Sequence, residues 1–250
     1  KKGQQAARRA RYAALCSAAR AAGASFIALA HTADDQAETV FMRAAAGSSW
    51  RGLAGMAQLA PAPVWPQGRG LRLARPLLGV RRAESRAYLR ERGGEWIEDP
   101  ANSNPAYERV RVRARLAELE RAGLDPMRFA RLADKLRPLA EKIDAEAAAL
   151  IARAVRFAGP DAFIHLTDWS ASSQARRRAF SVLVAACAGA EREPSAEPLA
   201  RLEARLNLPA FRGASLGGTR LRRTRDEIRI GRDPGAVTGR AGGGEPLAAL

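Results

Sequence analysis

The sequence predicts an α/β protein: a first region built on a parallel sheet, then a mainly helical region that closes on a small β-hairpin element. Three observations carry this. Helix, strand and helix patterns follow one another with short joints over residues 4–46, the texture changes to long helical runs after residue 114, and hairpin-like apolar residues flank Gly217-Gly218 around Leu216 and Ile228. The regions are therefore 1–114, 115–234, and a tail, 235–250, whose Gly242-Gly243-Gly244 run reads as disordered.

The elements follow in order. Residues 4–22 are Ala-rich without Pro or Gly, which predicts a helix closed by Gly23. Residues 25–30 form a short apolar run suited to a buried parallel strand, ended by His31. Thr32 and Asp35 have the spacing of a capping box, and Ala37, Val40, Phe41 and Ala44 recur at helical intervals, so a second helix starts just after the strand. Gly47 and Gly55 bracket a break in the helix, and residues 60–70 are rich enough in Pro and Gly to read as loop throughout. Residues 71–74 predict a strand, 82–92 a helix and 95–98 a short strand. Helices over 114–122 and 127–157 follow, with Pro138 a kink position, then a segment 161–169, helices over 174–188 and 196–206, and the hairpin.

The composition bounds the partners. Lys and Arg number 42 against 26 Asp and Glu, a net charge of +16, and Lys occurs only at positions 1, 2, 135 and 142. Guanidinium forks pair with phosphate oxygens, so the surplus fits nucleic acid, although a GC-rich genome would give the same bias. Cys16 and Cys187 stand far apart with no CxxC, which gives neither a disulfide framework nor a zinc site and points to a reducing cytoplasm. No apolar run approaches the roughly 18 residues that cross a bilayer, so no membrane partner is expected.

The chemistry concentrates in His31-Thr32-Ala33-Asp34-Asp35-Gln36-Ala37-Glu38-Thr39, with three carboxylates within five residues at a helix start. Capping uses one. Glu38 lies one turn from both Asp34 and Asp35, and like charges so close repel unless a cation shares the site, which points to Mg²⁺ or an ammonium group.

This motif, preceded by an apolar strand and by Ala7-Arg8-Arg9-Ala10-Arg11-Tyr12, resembles the tRNA(Ile)-lysidine synthases. So do Gly47-Ser48 with Gly52-Leu53-Ala54-Gly55-Met56, Arg75-Pro76-Leu77-Leu78, Trp96 with Asp99 and Asn102, Tyr107 with Arg109 and Arg113, and Leu216-Gly217-Gly218-Thr219. Two departures stand out. Ala46 and Ser49 replace the family's Arg and Gly around Gly-Ser, with Arg43 or Arg51 available as substitutes, and the family's Ser-Gly-Gly-x-Asp-Ser phosphate loop is nowhere in these 250 residues. On that basis the chain alone is expected to bind ATP poorly.

The resemblance implies the C-terminal part of a pyrophosphatase-loop, adenine-nucleotide alpha-hydrolase-like domain followed by a tRNA-binding region. It implies a ligase that uses ATP and Mg²⁺ to join free L-lysine to the wobble cytidine of an isoleucine tRNA, releasing AMP and pyrophosphate. In that scheme Asp35 and Glu38 are catalytic, Asp34 helps place the metal, and His31, Asp34, Arg8, Arg11, Arg109 and Arg113 bind substrate and nucleotide. Arg176, Arg177, Arg178, Arg222, Arg223 and Arg225 would grip the tRNA backbone. The alternative is a catalytically inactive tRNA-binding fragment, and a homodimer is left open.

Overall fold

The computed structural model describes residues 2–64, 66–98, 104, 106–190, 193–206, 208 and 211–237, with side chains between residues 6 and 235. Asp99 and Asn102, and the tail beyond residue 237, lie outside the described residues. The chain divides into two compact units, Lys1–Pro138 and Leu139–Leu250. The division comes at Pro138, inside one long helix, further along than the change of texture near 114, because the helix that begins at Glu108 packs on the first unit.

The first unit runs α1 (Lys2–Ala21), β1 (Phe26–Ala28), α2 (Ala33–Ala45), the one-turn α3 (Trp50–Leu53), β2 (Leu59–Pro61), β3 (Arg72–Ala74), α4 (Arg82–Glu91), α5 (Glu108–Arg121) and the start of α6 (Met127–Ala154). Strand order is β1-β3-β2, with β1 parallel to β3 in the register Ile27↔Leu73 and β2 antiparallel. Residues 60 and 61, expected as loop, thus join Leu59 in an edge strand, which tolerates Pro61 because only one side of it needs a ladder. Tyr12, Cys16 and Ala19 of α1 pack with Ile27, Val64, Leu71 and Leu73 into the core that fixes this sheet.

Two further expectations change. Residues 95–98 form no strand; Trp96 is covered instead by the Arg86 and Arg90 guanidiniums, 5.2 and 5.1 Å from its ring, and its indole N–H donates to Glu98. Helix α5 begins at Glu108 and not near 114, which puts Arg109 and Arg113 one turn apart on one helix.

The second unit holds the rest of α6, then β4 (Val155–Ala158), β5 (Asp161–His165), α7 (Ser173–Ala188), α8 (Ala196–Leu206), β6 (Gly213–Leu216), β7 (Thr219–Arg223), β8 (Glu227–Arg232) and the turn α9 (Pro234–Val237). Its sheet is five-stranded, β4-β5-β8-β7-β6, and antiparallel throughout, larger than the terminal hairpin expected. Alternation explains its layering: Ala162, Ile164, Leu221, Ile228 and Ile230 face inward onto Phe180, Leu183, Val184, Leu199 and Leu202 of α7 and α8. Ser172 caps α7 by accepting from the Ala175 N–H, and Gly189 ends it in the left-handed conformation at φ 65°.

Candidate active site

Strands β1 and β3 run side by side, so their carboxyl ends deliver His31-Thr32 and Arg75 to one edge of the sheet. Helix α2 starts there. The Thr32 backbone N–H and hydroxyl both donate to Asp35 Oδ2 at 2.8 Å, which fixes the carboxylate at the helix N-terminus. Burial pushes the Asp35 carboxyl up, but these two donors together with Arg82 and Arg109 outweigh it and hold its pKa below the usual value.

The three carboxylates separate. Asp34 Oδ2 accepts the Arg82 backbone N–H at 2.7 Å, so Asp34 satisfies an orphan donor in the first turn of α4. Glu38, 1% exposed, turns toward α5 and accepts from Arg113 Nε at 2.6 Å and Arg109 Nη1 at 3.5 Å, with Arg82 Nη2 at 3.7 Å. Asp35 Oδ1 faces the same cations, at 3.3 Å from Arg82, 3.6 Å from Arg109 and 3.8 Å from Arg113. Two acids and three guanidiniums therefore make one compact cluster from α2, α4 and α5.

The repulsion expected among the acids is relieved by these protein cations. Two clefts open beside the cluster, of about 370 and 200 Å³, and Arg82 and Arg113 line both. Asp35 borders the larger and Asp34 and Glu38 the smaller.

On the other flank His31 Nδ1 is buried with no hydrogen-bond partner among the described residues. Burial first, then the charges of Arg75, Arg109 and Arg8, lower its pKa, with Asp35 opposing them. A neutral imidazole set among cations suits an anionic group, which would supply the missing partner. Arg8 and Arg11 stack on Tyr12, 5.1 and 5.6 Å from its ring. Arg8 is thereby held near His31, Arg43 and Arg75, each of whose pKa values it lowers, which makes this edge electropositive.

A divalent metal finds less. Among the described residues no three His, Cys, Asp or Glu side chains converge, and Asp34 already spends one oxygen on α4. Asp34 could offer its remaining oxygen to a Mg²⁺ carried by phosphates, but the described residues form no cage for one.

Residues 52–57 are pinned next to α2. The Gln36 side-chain amide, 2% exposed, donates to Met56 O at 3.0 Å while its carbonyl oxygen accepts from Met56 N at 2.8 Å. Arg43 donates to Gly52 O and Gly55 O, Arg137 to Ala54 O and Gly55 O, and Arg75 to Ala57 O. Arg43, one of the two substitutes considered for the missing loop arginine, thus binds the loop carbonyls directly. Gly55 sits at φ 64°, and a Cβ there would come within 2.7 Å of the Gln36 amide. Sequence reasoning gave Gln36 and Arg82 no role. Gln36 at least lay inside the motif, whereas nothing local distinguishes Arg82 from Arg81.

In the second unit the expected tRNA-binding arginines part company. Arg178 binds Asp144 at 2.5 Å and also Glu193, Arg177 binds Glu203 at 2.8 Å, and Arg176 donates to Ala171 O, so all three brace the unit itself. Although burial opposes it, the bonds to Glu193 and Asp144 raise the Arg178 pKa. Arg223 donates to Leu206 O and Leu208 O, while Arg222 is exposed on the sheet and Arg225 on the turn before β8.

Residues 1–120 match the PP-loop domain family. Over 228 residues the chain is 42% identical to a tRNA(Ile)-lysidine synthase of Hyphomonas neptunium, covering 90% of this chain and 60% of that protein. Over 219 residues it is 40% identical to the tRNA(Ile)-lysidine synthase of Caulobacter vibrioides, covering 86% of this chain and 45% of that one. The enzyme of that name from Mesorhizobium japonicum is 51% identical over 117 residues, 45% of this chain and 25% of its own length. The chain thus spans about half the length of the first two relatives. The chain is thus similar to tRNA(Ile)-lysidine synthases through both units, and its residues 1–120 are similar to the PP-loop domain.

Proposed function

We propose that this chain carries the amine- and phosphate-handling part of an ATP-dependent ligase that joins L-lysine to the wobble cytidine of an isoleucine tRNA in the cytoplasm. The observation that supports it most is the pairing of Asp35 and Glu38 with Arg82, Arg109 and Arg113 at the edge where β1 ends. Two carboxylates form a site for a cation, and without substrate the side-chain guanidiniums fill it. The three arginines are each 30–40% exposed, so an arriving ammonium group can displace one into water at little cost.

The chemistry needs a neutral amine. Free lysine has a side-chain pKa of about 10.4, so its ammonium must lose a proton before it can attack C2 of the activated cytidine and expel AMP. Asp35 and Glu38 hold the ammonium. A guanidinium that withdraws no longer lowers the pKa of Asp35, which makes that carboxylate a better base for the proton. Activation at O2 releases pyrophosphate from ATP. His31, Arg8, Arg11 and Arg75 line the electropositive edge where the phosphates would lie, and Asp34 would lend one oxygen to their Mg²⁺.

The target base must be splayed out of its loop to reach this edge. The test is transfer of labelled lysine by the full-length protein to an isoleucine tRNA transcript with ATP. Lysine should enter a transcript with cytidine at the wobble position and not one with uridine there. ATP-dependent incorporation into both, or into neither, would overturn the assignment, the latter favouring a tRNA-binding protein without activity.

A further inference from the structure

Cytidine and uridine are alike at the atoms the proposed reaction uses, since both carry O2 on C2. They differ across the ring. Cytidine has an amino group at position 4 beside an unprotonated N3, and uridine has a carbonyl beside an N–H. A pocket that tells the two apart by contact therefore needs an acceptor facing position 4 and a donor facing N3.

The cleft of about 370 Å³ holds such a pair away from the carboxylate cluster. One part of its lining comes from Thr32 and Asp35 at the start of α2, and another from Ser85 and Arg86 of α4 with Glu98 beyond it. Of the two carboxylates in this lining, Asp35 is taken up with Thr32 and the guanidiniums of the cluster. Glu98 has no part in that cluster. Its Oε1 accepts from the Trp96 indole N–H at 2.9 Å and from Arg86 Nη2, while Oε2 has no donor among the described residues.

Two donors on one oxygen fix the direction of the other. Trp96 is itself held by Arg86 and Arg90, whose guanidiniums lie 5.2 and 5.1 Å from its ring, so the frame behind Glu98 is braced on α4. The Arg86 and Glu98 side chains are 36% and 63% exposed, and an ion pair so open to water adds little to stability. What the frame does provide is an ionised carboxylate, which only accepts, next to a guanidinium, which only donates.

We infer that Glu98, oriented by Trp96 and flanked by Arg86, determines the choice of base: Oε2 accepts from the 4-amino group of the target cytidine and Arg86 donates to N3. The C2 and O2 edge of the ring then turns away from Glu98, toward the part of the lining that carries Asp35. Uridine would set its O4 against the carboxylate and its N3–H against the guanidinium, so both contacts fail together. The inference rests on the proposed lysine transfer and names the residues that select its base.

The test measures kcat/KM for lysine transfer by the full-length protein to two isoleucine tRNA transcripts. One carries cytidine at the wobble position and the other pyrimidin-2-one, which lacks the 4-amino group. Wild type is compared with Glu98→Gln and Glu98→Ala. In Glu98→Gln the donors of Trp96 and Arg86 hold the amide oxygen, so its NH₂ faces the base and opposes the 4-amino group. The intrinsic reactivity of each base is the same for every variant, so the change in the ratio of the two rates isolates the contact. Both variants should lower the preference for cytidine by about ten-fold or more, with melting temperatures within about 2 °C of wild type. Glu91→Gln, which alters an exposed acid at the end of α4, should leave both rates unchanged.

A preference that stays at the wild-type value in both Glu98 variants overturns the inference. So does an equal fall for the two transcripts, which would make Glu98 a support of the cleft and not a reader of the base. An equal change of preference in Glu91→Gln would reduce the effect to net charge and overturn it as well. Wild type that transfers no lysine to the cytidine transcript sinks the proposed reaction and this inference with it, whereas an active enzyme with an unchanged preference sinks the inference alone.

Discussion

Replacing Glu38 by Gln keeps the side-chain volume and removes one of the two negative charges that hold three guanidiniums together. Glu38 is 1% exposed and its bond to Arg113 Nε is 2.6 Å long, so the pair is desolvated on the acid's side. Removing one partner of a fully buried pair costs about 3–5 kcal/mol. Arg82, Arg109 and Arg113 remain 30–40% exposed and Asp35 stays beside them, so water and the second acid recover part of this. A net loss of about 2–3 kcal/mol follows, which for a chain of this size lowers the melting temperature by about 4–12 °C. Thermal unfolding measures it, and a double-mutant cycle with Arg113→Met should return a coupling of about 1 kcal/mol or more. A melting temperature within 1 °C of wild type, or independent effects in the cycle, would refute the view that Glu38 anchors the cluster.

Other expectations follow from single contacts. Asp34→Ala removes the acceptor for the Arg82 N–H and should cost about 1 kcal/mol in urea unfolding, whereas Asp34→Asn, which keeps an acceptor, should cost less than half of that; equal losses would contradict the capping role. Gly55→Ala forces an L side chain to φ 64° and into the Gln36 amide, so a loss of about 2–4 kcal/mol is expected, and a neutral result would show that the Gln36 clamp is not maintained in solution. His31 has a lowered pKa, so the folded state takes up fewer protons than the unfolded one. Its contribution is fully present above the unfolded value of about 6.5 and is lost as pH falls below it. Melting temperature should therefore drop between pH 7.5 and 5.5, and His31→Asn should flatten that slope. Arg178→Met should lower the melting temperature, because Asp144 and Glu193 lose their partner, without changing tRNA affinity in the folded protein; a selective loss of affinity would return Arg178 to the tRNA interface.

Local signals in the sequence made the start of α2 legible. Thr32 and Asp35 stand at capping-box spacing after an apolar strand, and that geometry is set within four residues. Strand β4 was not legible, because Val155–Ala158 follows α6 without a break and its residues continue the helical pattern; it becomes a strand only by pairing with β5. The opposite holds for residues 95–98, whose Trp-Ile pair reads as strand but finds arginines of α4 in place of a ladder.

The acids of the site were visible in the sequence and their partners were not. Arg109 and Arg113 lie more than seventy positions from Glu38, and no local rule reports that α5 folds back onto α2. For the same reason the three acids read as one cation site, when Asp34 turns to α4 and the cations come from the protein itself. Among the arginines of the second unit, exposure depends on strand parity: Arg222 faces out and its neighbour Arg223 turns to the carbonyls of Leu206 and Leu208.

The central claim is that Asp35 and Glu38 receive the lysine amine and take its proton. Lysine transfer to an isoleucine tRNA transcript, measured at saturating ATP and tRNA for the full-length protein and for Asp35→Asn, tests it most directly. The variant should fold, bind tRNA as wild type does and lose about 10²–10⁴-fold in the rate of lysine transfer. A variant that transfers lysine at the wild-type rate would contradict the assignment.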